Sequence, residues 1–150
     1  MTCMDKIAGH VLLVDDDSLV AMNERSFLET AGFVVERAES LRRARSLLGR
    51  QSFDVVLLDH DLPDGKGHTL IDWMTARGLT LPVIYLSAAP PAVLRKIGES
   101  TSVRAILTKP VDRKQLIEIV RLNVVDVDEP TSTRLVNMEE RRMLLDFLQT

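Results

Sequence analysis

Five residues of this chain have the types and the spacing for work on phosphorus: Asp15, Asp16, Asp59, Ser87 and Lys109. Each stands at the end of a short apolar run. Val11 to Val14 leads into Asp15, Asp16 and Asp17, Val55 to Leu58 into Asp59, Val83 to Leu86 into Ser87, and "AILT" into Lys109 and Pro110. If these runs are parallel strands, all five residues meet at one edge of a sheet. Carboxylates crowded there repel and raise one another's pKa unless a divalent cation sits among them, so Asp15, Asp16 and Asp59 predict a hard-metal site with Mg2+ as its natural occupant. A carboxylate beside such a cation can attack phosphorus, while a lysine and a hydroxyl opposite hold the equatorial oxygens of the group in flight. Cation, nucleophile, ammonium and hydroxyl make a phosphoryl-transfer site.

The elements that must position these residues are legible as an alternation. Short runs rich in valine and isoleucine, the pattern of strands buried on both faces, alternate with segments of helical period. The strands predicted are Val11–Val14, Val34–Ala38, Val55–Leu58, Val83–Leu86 and Ala105–Leu107. The helices predicted are Asp17–Ala31 stopping at Gly32, Leu41–Leu48 capped by Ser40 and stopping at Gly49, His68–Ala76, Ala92–Ile97, and Gln115–Val124 after Asp112. Five strand–helix units imply an α/β fold, a doubly wound five-stranded parallel sheet. Asp17 opens the first helix, where a negative charge is favoured. Asp64 and Gly65, after Pro63, serve a turn.

Composition narrows the class. With 150 residues and 45% apolar content there is room for one well-buried core. A net charge of −3, from 19 basic and 22 acidic residues spread along the chain, leaves no basic field for nucleic acid. The apolar runs are too short to span a bilayer, no signal-peptide pattern opens the chain, and the single Cys3 implies no internal disulfide. A cytoplasmic location is expected. "VDVDEPTST" reads as a linker, and a capping-box-like start at Asn137 and Glu140 opens an amphipathic helix with its apolar stripe at Met138, Leu144, Leu145 and Leu148. The organisation expected is thus a domain over 8–125, a linker over 126–136 and a helix over 137–150, the last a dimerisation element or the start of an effector domain.

"VLLVDDD", "FDVVLLDHDLPDGKG", "PVIYLSA" and "AILTKP", in that order, resemble the receiver domain of two-component response regulators. The resemblance implies the flavodoxin-like (βα)5 receiver fold, followed here by an extra C-terminal helix. It also implies phosphoryl transfer from a sensor histidine kinase or a phosphotransfer protein onto an aspartate, with Mg2+, and no catalysis beyond the chain's own phosphorylation and dephosphorylation. Carried over, Asp59 is the phosphoacceptor, Asp15 and Asp16 hold the metal, and the backbone carbonyl of Asp61 is a further ligand. Asp16 would bind directly and Asp15 through metal-bound water. Ser87 would bond a phosphoryl oxygen, Lys109 would pair with the acyl phosphate, and Lys109–Pro110 is a candidate cis peptide. The output face, or a homodimer surface, would be the last helix and strand of the sheet.

Two departures from the family pattern concern signalling. The switch position three residues before the lysine, normally aromatic, is Ile106, which has no hydroxyl-tipped ring to move. Asp61 places a carboxylate two residues after the acceptor, close enough to affect the lifetime of the phosphoryl group. Ile106 keeps open a second reading, a receiver-like interaction module that needs no phosphate. The echo of an Asp-x-Asp nucleophile in Asp59-His60-Asp61 keeps open a third, a haloacid-dehalogenase-type phosphatase, although a strand ending in Asp15 and Asp16 precedes it. His60 and His68 lack the companions for zinc, and His60 is expected to do no more than shape access to Asp59.

Overall fold

A computed structural model describes residues 7–88 and 102–124. In chain order these form β1 (Gly9–Val14), α1 (Ser18–Thr30), β2 (Phe33–Ala38), α2 (Leu41–Arg50), β3 (Val55–Asp59), β4 (Asp61–Leu62), β5 (Gly65–Lys66), α3 (His68–Ala76), β6 (Val83–Ser87), β7 (Val103–Thr108) and α4 (Arg113–Asn123). Five strands build one parallel sheet in the order β2-β1-β3-β6-β7, and β4 and β5 pair as a small antiparallel hairpin. The expected helix over Ala92–Ile97, the linker and the C-terminal helix lie outside the described residues.

Side chains alternate across each strand, and the two faces build two cores. Leu12 and Val14 of β1 join Leu41, Leu47, Leu70, Met74 and Tyr85 beneath α2 and α3. Val11 and Leu13 join Leu28, Ile84, Leu116 and Ile119 beneath α1 and α4. With a helical layer on each face, the central strands β1, β3 and β6 are buried throughout apart from His10, which is why they read as unbroken apolar runs.

The helix starts follow from side-chain caps. Asp17 accepts from the backbone N–H groups of Leu19 and Val20, Ser40 from Arg43, and Asp112 from Gln115. Because Asp112 caps directly, α4 begins at Arg113, two residues before the sequence-based start. Helix α2 runs through Gly49, the expected stop, to Arg50: nothing lies near a side chain there and the last turn closes without a left-handed residue. Strands β3 and β6 extend to include Asp59 and Ser87 themselves, and β7 spans Val103–Thr108 rather than Ala105–Leu107.

Asp64 has a larger part than a turn residue. Its two carboxylate oxygens accept from the N–H groups of Leu41 and Arg42, each at 2.9 Å, so the β4–β5 hairpin caps α2 from more than twenty residues away. Asp64→Ala is expected to lower stability by about 1 kcal/mol, the usual cost of a lost N-cap, read as a lower urea midpoint with unchanged slope. An unshifted midpoint would show that Ser40 alone suffices.

Candidate functional site

The sheet order reverses between β1 and β3, and in open α/β sheets the crevice at such a switch point is where ligands bind. Asp15 and Asp16 follow β1 and Asp59 ends β3, so the acidic residues flank that crevice. One carboxylate oxygen from each lies within 4.8 Å of the others. Asp15 is fully buried, Asp59 is 9% exposed and Asp16 is open to solvent.

Lys109, just past β7, reaches across to this cluster. Its Nζ is 3.1 Å from Asp15 Oδ2 and 3.0 Å from Asp59 Oδ1. Burial works against the ammonium, but Asp15 and Asp59 outweigh it and hold its pKa above the ordinary lysine value. Burial raises the pKa of Asp59, and the bond from Lys109 offsets part of that rise. One ammonium among three carboxylates leaves two negative charges uncompensated when all are ionised. All donors are hard oxygens, so the charge and the donor set both fit a divalent cation such as Mg2+.

The loops are held by backbone bonds. Asp15 Oδ1 accepts from Asp17 N–H at 2.9 Å, and Arg37, near the end of β2, donates from Nε to Asp15 O at 3.1 Å and from Nη2 to Asp16 O at 3.2 Å. Asp15 therefore has one oxygen committed to the helix start and one to Lys109, while Asp16 offers its carboxylate to solvent. On the other side Asp59 Oδ1 accepts from His60 N–H at 3.0 Å, and Ser87, 1% exposed, ends β6 next to it. Ser87 O accepts from Lys109 N–H at 3.1 Å, and the Lys109–Pro110 bond is cis.

Asp61 stands at the rim. Its carboxylate is exposed and pairs with Lys66 across the hairpin, and that bond holds its pKa below the usual carboxylate range. Ile106 is half-buried on β7, in register with Tyr85 of β6.

Arg37, Lys66 and Glu24 are contributors that the sequence analysis does not name, and His60 makes contacts that it does not foresee. His60, given only a minor part, is buried with Nδ1 2.6 Å from Tyr85 Oη. Glu24 is 3% exposed on α1, and among the described residues neither of its oxygens has a hydrogen-bond partner. Burial first, and then the charge of Asp15, push its pKa from 4.5 to about 7. A signal for Glu24 did exist, since Ala21, Glu24 and Leu28 follow the i, i+3, i+7 spacing of a buried stripe.

A doubly wound five-stranded parallel sheet with its acidic crevice at the switch point defines a flavodoxin-like class of fold. The comparisons with known proteins narrow it: residues 11–121 match the family model "Response regulator receiver domain", and the chain belongs to that family. Response regulator protein PilR of Pseudomonas aeruginosa is 31% identical over 130 residues, covering 83% of this chain and 29% of that protein. Response regulator protein PmrA of the same organism is 32% identical, covering 74% of this chain and 50% of that protein. The chain thus spans half or less of the length of these curated relatives. Among solved structures, a Francisella response regulator receiver domain aligns with TM-score 0.71 at 27% identity, covering 76% of this chain and 94% of that one. The likeness to the chemotaxis response regulator CheY4 of Vibrio cholerae, with TM-score 0.70 at 22% identity over 77% of this chain and 98% of that one, shows the fold. Among the described residues no helix is long and apolar enough to cross a membrane.

Proposed function

We propose that this receiver domain is a phosphorylation-dependent switch whose phosphoacceptor is Asp59. The observation that carries the reading is Lys109, seated 3.0 Å from Asp59 and 3.1 Å from Asp15 at the sheet's switch point. An ammonium placed there neutralises charge where a phosphoryl oxygen would come to rest.

The donor is the phosphohistidine of a sensor histidine kinase or a phosphotransfer protein. One Asp59 carboxylate oxygen forms a bond to phosphorus as the P–N bond to the donor imidazole breaks, and the imidazole leaves with the electron pair. Asp16, Asp59 and the backbone carbonyl of Asp61 would hold Mg2+ directly, with Asp15 acting through water, and the cation supplies neutralisation of phosphoryl charge. Lys109 exchanges its bond to Asp59 for one to a phosphoryl oxygen, and the Ser87 hydroxyl donates to another. Arg37 holds the peptide units of Asp15 and Asp16 still while this happens.

The switching unit is the domain over 8–125, with a linker over 126–136 and a helix over 137–150 that serves dimerisation or begins an effector. The surface it changes is the one made by β7 and α4, where a partner or a second copy docks. Curated relatives named as transcriptional regulatory proteins, among them TorR of Escherichia coli, favour transcription control as the output. The receiver itself has no basic field for DNA, and its place of work is the cytoplasm.

The deciding experiment is intact-mass measurement after incubation with acetyl phosphate and Mg2+. Wild type is expected to gain one phosphoryl group and Asp59→Asn none, while equal labelling of the two would move the acceptor elsewhere. Ile106 favours a second reading, a module that works without phosphate. Absence of any beryllofluoride binding would support that one instead.

A further inference from the structure

Tyr85 is the single tyrosine of the chain. It is wholly buried on β6, two residues before Ser87. Its hydroxyl lies 2.6 Å from His60 Nδ1, and the two rings meet edge-on with centroids 5.6 Å apart. The same oxygen lies against the residue that precedes α3, since a Cβ added at Gly67 would stand 3.1 Å from it.

The pair is therefore a junction. Through Tyr85 it joins a central strand, the start of α3 and the residue next to Asp59. Through its backbone N–H, His60 bonds Asp59 Oδ1 at 3.0 Å and Leu86 O at 3.1 Å, so it touches the acceptor carboxylate directly. Both rings are buried, and neither can turn without displacing its neighbours. Across the strand pair from Tyr85 stands Ile106, which packs against the core that Tyr85 occupies. Ile106 has no hydroxyl, and the buried aromatic hydroxyl of this layer sits one strand inward.

We propose that His60 and Tyr85 are a positioning pair that couples the Asp59 carboxylate to the β6–β7 edge, placing on β6 the polar aromatic link that Ile106 does not supply on β7. The proposal rests on Asp59 being the phosphoacceptor. Phosphorylation of Asp59 converts the carboxylate to an acyl phosphate, which removes a charged carboxylate acceptor from His60 N–H, and charged acceptors make the stronger bonds. The imidazole shifts with its backbone, and the hydroxyl of Tyr85 follows because its partner has moved.

Biosynthetic replacement of tyrosine by 3-fluorotyrosine puts one fluorine reporter into the full chain, at position 85. With Mg2+ and acetyl phosphate, a second fluorine resonance of the ring is expected to grow in proportion to the phosphorylated fraction read by intact mass on the same sample. It should be absent from Asp59→Asn. Tyr85→Phe, which deletes only the hydroxyl, is expected to change the half-life of the phosphoprotein by about threefold or more, the scale of one neutral hydrogen bond. Val35→Ala, in the opposite core, should lower stability while leaving that half-life alone. A ring resonance that stays put in a demonstrably phosphorylated chain overturns the coupling, as does an unchanged half-life in Tyr85→Phe. A chain that gains no phosphoryl mass overturns the phosphoacceptor reading, and the coupling with it.

Discussion

Gly67→Ala is expected to cost this domain about 2–4 kcal/mol and to lower its melting temperature by roughly 10 °C. The reason is the position of the missing side chain. Gly67 stands immediately before α3, its N–H donates to His60 O at 2.7 Å, and a Cβ there would land on the carbonyl oxygen of Asp59, far inside van der Waals contact. It would also meet Tyr85 Oη at 3.1 Å and Leu58 Cγ at 3.2 Å. A flexible side chain could swing aside at little cost, but the obstacle is backbone, and it is the backbone of Asp59, the proposed phosphoacceptor. Relief therefore means moving Asp59 or the start of α3, so the folded fraction should also lose phosphorylation rate. Gly49→Ala is the natural control. Nothing lies within 4 Å of a Cβ there and the residue is helical, so alanine should stabilise by about 0.5–1 kcal/mol. If thermal unfolding shows both variants within a degree of wild type, the close approach at Gly67 is not tight in solution.

Gly67 also marks the boundary of what could be read in advance. The sheet was legible because parallel strands covered on both faces must be apolar throughout, and a run such as Val55–Leu58 has little other use. The juxtaposition at the candidate site was legible because the topology carries strand ends to one edge, so that Asp15, Asp16, Asp59, Ser87 and Lys109 announce themselves by following those runs. What escaped depends on contacts between distant segments. A glycine eight residues after Asp59 carries no sign that its hydrogen faces a carbonyl. Asp64 looks like any turn aspartate until α2 is seen starting at its carboxylate. Lys66 and Asp61 find each other only because a hairpin forms between them. Tyr85 reads as one more strand residue, and its hydroxyl acquires meaning only when β3 is laid beside β6. Glu24 is the instructive case, since its spacing placed it on the buried stripe while its charge argued for solvent. Packing decided in favour of burial.

That burial makes the metal-free protein less stable as pH rises toward and past neutrality. Glu24 has its pKa pushed from 4.5 to about 7 by burial and then by the neighbouring charge of Asp15. Between those two values the folded chain holds a proton that the unfolded chain has given up, so unfolding releases it and stability falls as pH increases. Below about 4.5 the contribution is fully present, and above about 7 it is gone, a swing of up to roughly 3 kcal/mol. The raised pKa of Asp59 adds a change of the same sign. Glu24→Gln keeps the shape and removes the charge. It is therefore expected to leave stability near pH 5 within about 1 kcal/mol of wild type, and to exceed wild type by about 2–3 kcal/mol at pH 8. Urea denaturation at both pH values, with a chelator present, measures the difference directly, and parallel losses in the two proteins would remove Glu24 as its source. Selection for stability alone would favour an apolar residue at this place on α1, because a buried carboxylate without a partner is a net cost. The negative charge adds to the field around Asp15 and Asp59, so a bound divalent cation offsets part of that cost. The same variant should then gain less stability from added Mg2+ than wild type does, which ties the burial of Glu24 to the crevice beside it.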